Sequence, residues 1–225
     1  MDFYFDKDLD KLFSAGVEVK YKKGEIILRA EDEPQGIYYL KKGYVKLYNL
    51  SIEGREQIIS IFKPRSYFPI AWILAEVKNT SYYEALTGVK VLKVPSSKVI
   101  KFLEDNPKST MLLAKRLSSG LNGLAKLINI IFLASAKQRV AYVLVQFAAR
   151  FGEHVNGKKI KIILPVTHQL ISNYAGLVRE TVSLEMERLR KQKVIDYSRS
   201  SVTVMDLSKL QGLSQAGSEA DGVEV

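Results

Sequence analysis

Arg179, Glu180, Thr181, Ser183 and Leu184 bring a base, an acid, two hydroxyls and an aliphatic side chain together within six residues. Displayed at the exposed N-terminal end of an amphipathic helix, such a set is what a recognition helix presents to base edges in a DNA major groove. The flanking residues can build that helix. Val178, Val182, Met186 and Leu189 recur at steps of four, four and three and predict its buried stripe. Upstream, Thr167 is an N-cap candidate, and Leu170, Ile171 and Tyr174 give a first short helix an apolar side. Gly176 falls between the two, where a helix-turn-helix needs a residue that tolerates positive φ. A plain helical hairpin with a solvated polar face has the same spacing. The following residues favour the first reading. Lys193–Tyr197 and Ser201–Met205 alternate like two strands around Ser198-Arg199-Ser200, and a hairpin directly after the second helix is a wing.

The rest of the chain must position this unit. At 225 residues it can hold one large or two modest domains. From Val17 to about Val94, short β-branched and aromatic segments (Glu25–Leu28, Ile37–Leu40, Tyr44–Tyr48, Gln57–Phe62) are broken at Gly24, Gly36, Gly43 and Gly54. That pattern predicts a compact barrel or sandwich. Residues 1–16 read as a helical lead-in. Pro107 opens a long helix, with Asn106 as its N-cap. Along it Leu113, Leu117, Leu121, Leu124, Ile128 and Ile131 recur at steps of four and three. This seam predicts a parallel homodimer; a helix packed on its own β domain is the plainer alternative. Asn122 and Asn129 interrupt the apolar character and would set register or touch a ligand. Ala134-Ser135-Ala136 reads as a hinge, Val140–Phe151 as a further helix, and the Gly/Ser-rich acidic end as disordered. The expected division is a sensor domain over 1–106, a dimerisation helix over 107–134, a winged helix-turn-helix over 135–211 and a disordered tail over 212–225.

Composition narrows the function. The net charge is +10, and the segment from Gln211 has three acids and no base, which leaves +13 on the remainder. Such an excess favours a polyanion, either nucleic acid or an anionic membrane surface. No apolar run approaches a membrane span, and MDFYFDKDLDKLF has no signal-peptide pattern, so the expected location is the cytoplasm. With no cysteine and only His154 and His168, disulfides, cysteine-ligated iron–sulfur clusters and ordinary zinc sites fall away. No Ser/His/Asp set, Walker loop or Rossmann glycine pattern is present. Neither an enzyme nor a cofactor is expected.

A β domain, a long helix and a winged helix in that order resemble the CRP/FNR family of transcription regulators. The likeness runs from about Tyr21 to Leu207 and is most telling in YKKGEIILRAEDEPQGIYYLKKGYVKLY and in Arg179-Glu180-Thr181-Val182. It implies an α+β fold, in which a cyclic-nucleotide-binding-like β-roll, or jelly roll, is followed by the dimer helix and the winged helix-turn-helix. It also implies a homodimer on a pseudo-palindromic DNA operator, with RNA polymerase a further possible partner. By the same resemblance Arg179 pairs with guanine O6 and N7 and Glu180 accepts from cytosine N4. Thr167, His168, Gln169 and Thr181 then contact phosphate or base edges, and Ser198 or Arg199 the backbone. The second base-reading arginine of the family is replaced by Leu184, which cannot hold guanine but can pack on a thymine methyl.

The sensor segments depart further. Where cyclic-nucleotide-binding members carry Phe-Gly-Glu and Arg-Ser/Thr-Ala, this chain has Phe68-Pro69-Ile70 and Asn79-Thr80-Ser81. Ile70 cannot accept a ribose hydroxyl, Asn79 has no charge for a phosphate, and Pro69 removes a backbone donor. Cyclic AMP is therefore not the expected effector. Tyr67, Phe68, Ile70, Trp72, Tyr82 and Tyr83, with Asn79, Thr80, Ser81 and Asn122, leave two readings. One is a site for an apolar or aromatic small molecule; the other is a cavity refilled with core. The functional alternatives are a regulator controlled by its own abundance, and a sensor module whose helix-turn-helix contacts protein.

Overall fold

The computed structural model describes residues 6–155 and 157–215. It divides into two compact units, 1–124 and 125–225.

The first unit opens with α1 (Lys7–Ser14), whose first turn is capped by the Asp6 carboxylate accepting from the Asp8 and Leu9 amides. Eight strands follow: β1 (Val17–Tyr21), β2 (Ile26–Leu28), β3 (Ile37–Lys42), β4 (Val45–Leu50), β5 (Glu56–Phe62), β6 (Tyr67–Phe68), then, after the short helix α2 (Ile70–Leu74), β7 (Tyr82–Ala85) and β8 (Val89–Val94). They form two antiparallel sheets, ordered β1-β8-β3-β6 and β2-β7-β4-β5. Gly43 turns β3 into β4 at φ +89°, and a Cβ there would strike the Gly88 carbonyl, so only glycine fits. Apolar residues at alternate positions, among them Leu40, Val45, Tyr83, Ala85 and Val91, meet in one core.

Helix α3 (Ser96–Asp105) was not legible in the sequence; Val99 and Leu103 are its buried residues. Asn106 stands at the N-cap position of the next helix, its carbonyl accepting from the Thr110 amide at 3.1 Å. Its side-chain amide donates to the Phe102 carbonyl at 2.8 Å and so also closes α3. Helix α4 (Pro107–Leu133) then runs across the division between the units. Leu113 must be removed from the expected seam, because it is buried with Leu9, Phe13, Ile37, Tyr67 and Ile70 in the first unit's own core. Leu117, Leu121 and Ile128 are exposed, and Leu124 and Ile131 half-buried.

The second unit contains α5 (Ala136–Phe151), β9 (Gly152–Val155), β10 (Lys159–Ile162), α6 (His168–Ala175), α7 (Arg179–Lys191), β11 (Ile195–Tyr197), β12 (Val202–Val204) and α8 (Leu207–Gln215). The strands form one sheet, β11-β12-β10-β9. Helix α5 starts four residues before the expected Val140. Ser135 and Gln138 form a reciprocal capping box there, turning the expected hinge into a helix start. The expected tail is also shorter at its N-terminal side: α8 extends to Gln215, and Leu210 is fully buried. The remainder of that tail, 216–225, lies outside the described residues.

Candidate nucleic-acid interface

Thr167 caps α6, its hydroxyl accepting from the Leu170 amide at 3.0 Å. Gly176 ends the helix in the left-handed conformation, φ 64° and ψ 41°. The chain then reverses into α7, whose Val182, Met186 and Leu189 are buried. One member of the expected stripe is wrong. Val178 is 58% exposed, because it occupies the extended position before the helix begins, with ψ 150°. Glu185 takes a place on the buried face instead, held by Arg188 at 2.6 Å.

The N-terminal end of α7 exposes Arg179, Glu180 and Leu184, with Thr181 half-buried. Glu180 in a first turn complements the helix dipole, whereas a cation at the first position opposes it, by about 0.3–1 kcal/mol. Arg179 is thus not placed there for the helix's benefit. Arg188, Arg190 and Lys191 in the last turn do suit the dipole. The β11–β12 turn exposes Ser198 and Arg199, and is closed by the Ser198 amide donating to the Ser201 carbonyl at 2.9 Å. Thr167 and Gln169 are exposed at the start of α6, where the Gln169 amide donates to Asn173 Oδ1 at 2.7 Å.

Two expected DNA contacts are engaged within the unit. His168 Nδ1 lies 2.9 Å from Ser183 Oγ, and the His168 ring meets Tyr197 edge-on with centroids 5.3 Å apart. Burial, and then the Arg179 charge, hold the His168 pKa below the ordinary value of 6.5. Tyr197, Glu187 and Arg190 extend this cluster and were not read from the sequence. The Arg190–Glu187 pair, at 2.7 Å, has the i,i+3 spacing that could have pointed to it.

Several of the expected effector residues are engaged with one another or with backbone groups. Phe68 stacks on Tyr83 at 5.3 Å, on Phe62 at 5.4 Å and on Tyr38 at 5.5 Å, and both Phe68 and Tyr83 are buried. Trp72 Nε1 donates to the Tyr83 hydroxyl at 3.0 Å, and burial raises that hydroxyl's pKa well above the ordinary value. Pro69, which follows Phe68 through a cis peptide bond, is buried, and Ile70 belongs to the other core, against α1. Asn79 is buried, with its amide donating to the Arg29 and Ser81 carbonyls and its Oδ1 accepting from the Ser81 amide. Asn79 and the buried Ser81 thus tie the Arg29 and Ser81 segments together. Thr80 is exposed, and Asn122 lines an open groove along α4 with Met111, Ala114, Lys115, Ser118 and Ser119. Among the described residues no group of three or more His, Asp or Glu is gathered to hold a metal, and no helix is long and apolar enough to cross a membrane.

Residues 18–106 match the family model of the cyclic nucleotide-binding domain and residues 138–213 that of the Crp-like helix-turn-helix domain. The global nitrogen regulator of Nostoc sp. strain PCC 7120 is 27% identical over 186 residues, covering 82% of this chain and 83% of that protein. The transcriptional activator protein Anr of Pseudomonas protegens is 26% identical over 217 residues, covering 95% and 85%. Among solved structures, FixK2 from Bradyrhizobium japonicum superposes with a TM-score of 0.79 at 23% identity, covering 88% of this chain and 97% of that one.

Proposed function

The chain belongs to the CRP/FNR family of DNA-binding transcription regulators, and we propose that within it this member reads its operator through Arg179 and Glu180 and answers to something other than cyclic AMP. Regulators of this family bind DNA as dimers. Here the exposed apolar positions Leu117, Leu121 and Ile128, with Leu124 and Ile131, support pairing through α4. The protein works by binding rather than catalysis, in the cytoplasm, with RNA polymerase as the partner that its DNA-bound form meets.

The observation that carries the base-reading role is the exposure of Arg179 and Glu180 at a helix start where the arginine opposes the dipole. Arg179 then pairs with guanine, Glu180 with cytosine, and Leu184 packs on a thymine methyl. Thr167, Gln169 and Thr181 at the helix starts and Ser198 and Arg199 in the wing supply phosphate contacts. The stacked Phe68–Tyr83 core supports the exclusion of cyclic AMP, and it equally favours a second reading, control by abundance with no effector. Selection of operator fragments from genomic DNA, followed by fluorescence anisotropy over a range of salt, tests the reading. A selected sequence bound in preference to bulk DNA, with a steep negative salt slope, is expected. Absence of any preferred sequence would remove the base-reading role and leave the protein-contact alternative.

A further inference from the structure

His168 stands at the first position of α6 and reaches both other elements of the interface. With the Ser183 hydroxyl donating to the Arg179 carbonyl at 3.0 Å, its oxygen suits the Nδ1–H tautomer of His168 as donor of the 2.9 Å contact. This contact ties α6 to the first turns of α7. The ring's contact with Tyr197 ties the same residue to β11, the first wing strand. From Tyr197 the contacts return to α7: its hydroxyl donates to Glu187 at 3.3 Å, Glu187 pairs with Arg190, and the Arg190 guanidinium lies 5.0 Å over the Tyr197 ring. The closed circuit runs from the start of α6 to α7, to the wing and back.

We propose that His168 is a positioning residue that, through Ser183 and Tyr197, locks the recognition helix to the wing, rather than a contact to DNA. The inference rests on the reading of α7 as the base-reading helix. Two elements that must meet one duplex together, Arg179 in the groove and Arg199 on the backbone, need a fixed mutual geometry. Side chains that hold such a geometry do so through supporting hydrogen bonds and packed rings. The wing follows α7 through Gln192, Lys193 and Val194, where Lys193 adopts a left-handed φ of 57°, so the connection is short and its path is set locally. The depressed basicity of His168 agrees with this role, since a neutral imidazole brings no charge to a phosphate.

A double-mutant cycle of His168→Ala and Ser183→Ala tests the proposal, reading operator and non-operator affinity by anisotropy across a salt series, with thermal melts to establish that each variant is folded. Each single variant should lower the operator-to-non-operator ratio by about tenfold, the double variant no further, and the salt slope should stay that of the parent. His168→Asn carries an amide near the Nδ1 position and should retain much of the selectivity. His168→Phe keeps a ring but no donor and should not; these two variants serve if the alanine variant fails to fold. Additive losses, or a slope shallower by about one unit in His168→Ala, would instead mark two separate DNA contacts and overturn the proposal. A parent protein without operator preference would overturn the base-reading function itself, and this inference with it.

Discussion

The two places where the sequence offers chemistry differ in where their polar groups are directed. In the second unit Arg179, Glu180, Ser198 and Arg199 are exposed, and the residues behind them hold α7 and the wing. In the first unit Asn79 is buried among backbone partners, and the Tyr83 hydroxyl accepts from Trp72. One site leaves charged and polar side chains exposed; in the other, polar groups bond to neighbours within the unit beside stacked rings.

The largest effect that can break this comparison is in the sensor core. Phe68→Ala should destabilise the first unit by about 3–5 kcal/mol in chemical denaturation, as for any fully packed phenylalanine. A loss below about 1 kcal/mol would mean that Phe68 borders open space after all. Next comes the interface. Arg179→Ala should reduce discrimination at one base pair by about 1–3 kcal/mol without lowering the melting temperature, because the side chain is exposed and its charge opposes the helix dipole. Equal selectivity in parent and variant would exclude Arg179 as a base reader.

A smaller effect sharpens the reading of Leu184, which is 62% exposed. Replacing thymine by deoxyuracil removes one methyl group. At the position facing Leu184 this should weaken binding by about 0.8 kcal/mol, roughly fourfold, and Leu184→Ala should abolish the difference. Insensitivity to deoxyuracil at every operator position would leave Leu184 without this contact. The smallest effect is the pH dependence from His168. Its pKa in the fold lies below the unfolded value, so the unfolded chain binds the proton more readily between the two values. The contribution of His168 is therefore present above pH 6.5 and declines as pH falls below it toward the folded pKa. Comparing the parent with His168→Asn in denaturation at pH 7.5 and 5.5 isolates it; a parent that gains stability relative to the variant on acidification would reverse the sign.

The order of the elements was legible because their signals are local. The glycine-punctuated strands, the left-handed Gly176 and the alternation on either side of Ser198–Ser200 each depend on a few neighbouring residues. What escaped depends on contacts between distant ones. Leu113 has the spacing of a dimer seam, and only the core that it shares with α1 reveals its burial. Val178 fits the four-residue step, but the helix starts one residue later. Asn106 holds the N-cap position that its residue type suggests, but the turn of its side-chain amide back to Phe102 depends on α3, which periodicity did not reveal. Ile70 and Phe68 are two apart in sequence and lie in different cores. The engagement of His168 by Ser183 and Tyr197 joins residues 15 and 29 positions away, beyond any periodicity.

The central claim, an open reading face in the second unit and a packed sensor core in the first, is tested most directly by measuring operator affinity with and without cyclic AMP. Fluorescence anisotropy on a selected operator should give the same affinity in both. Operator binding that appears only with cyclic AMP would contradict the account, because the nucleotide would then have found a site that the packed Phe68–Tyr83 core and the buried Asn79 do not provide.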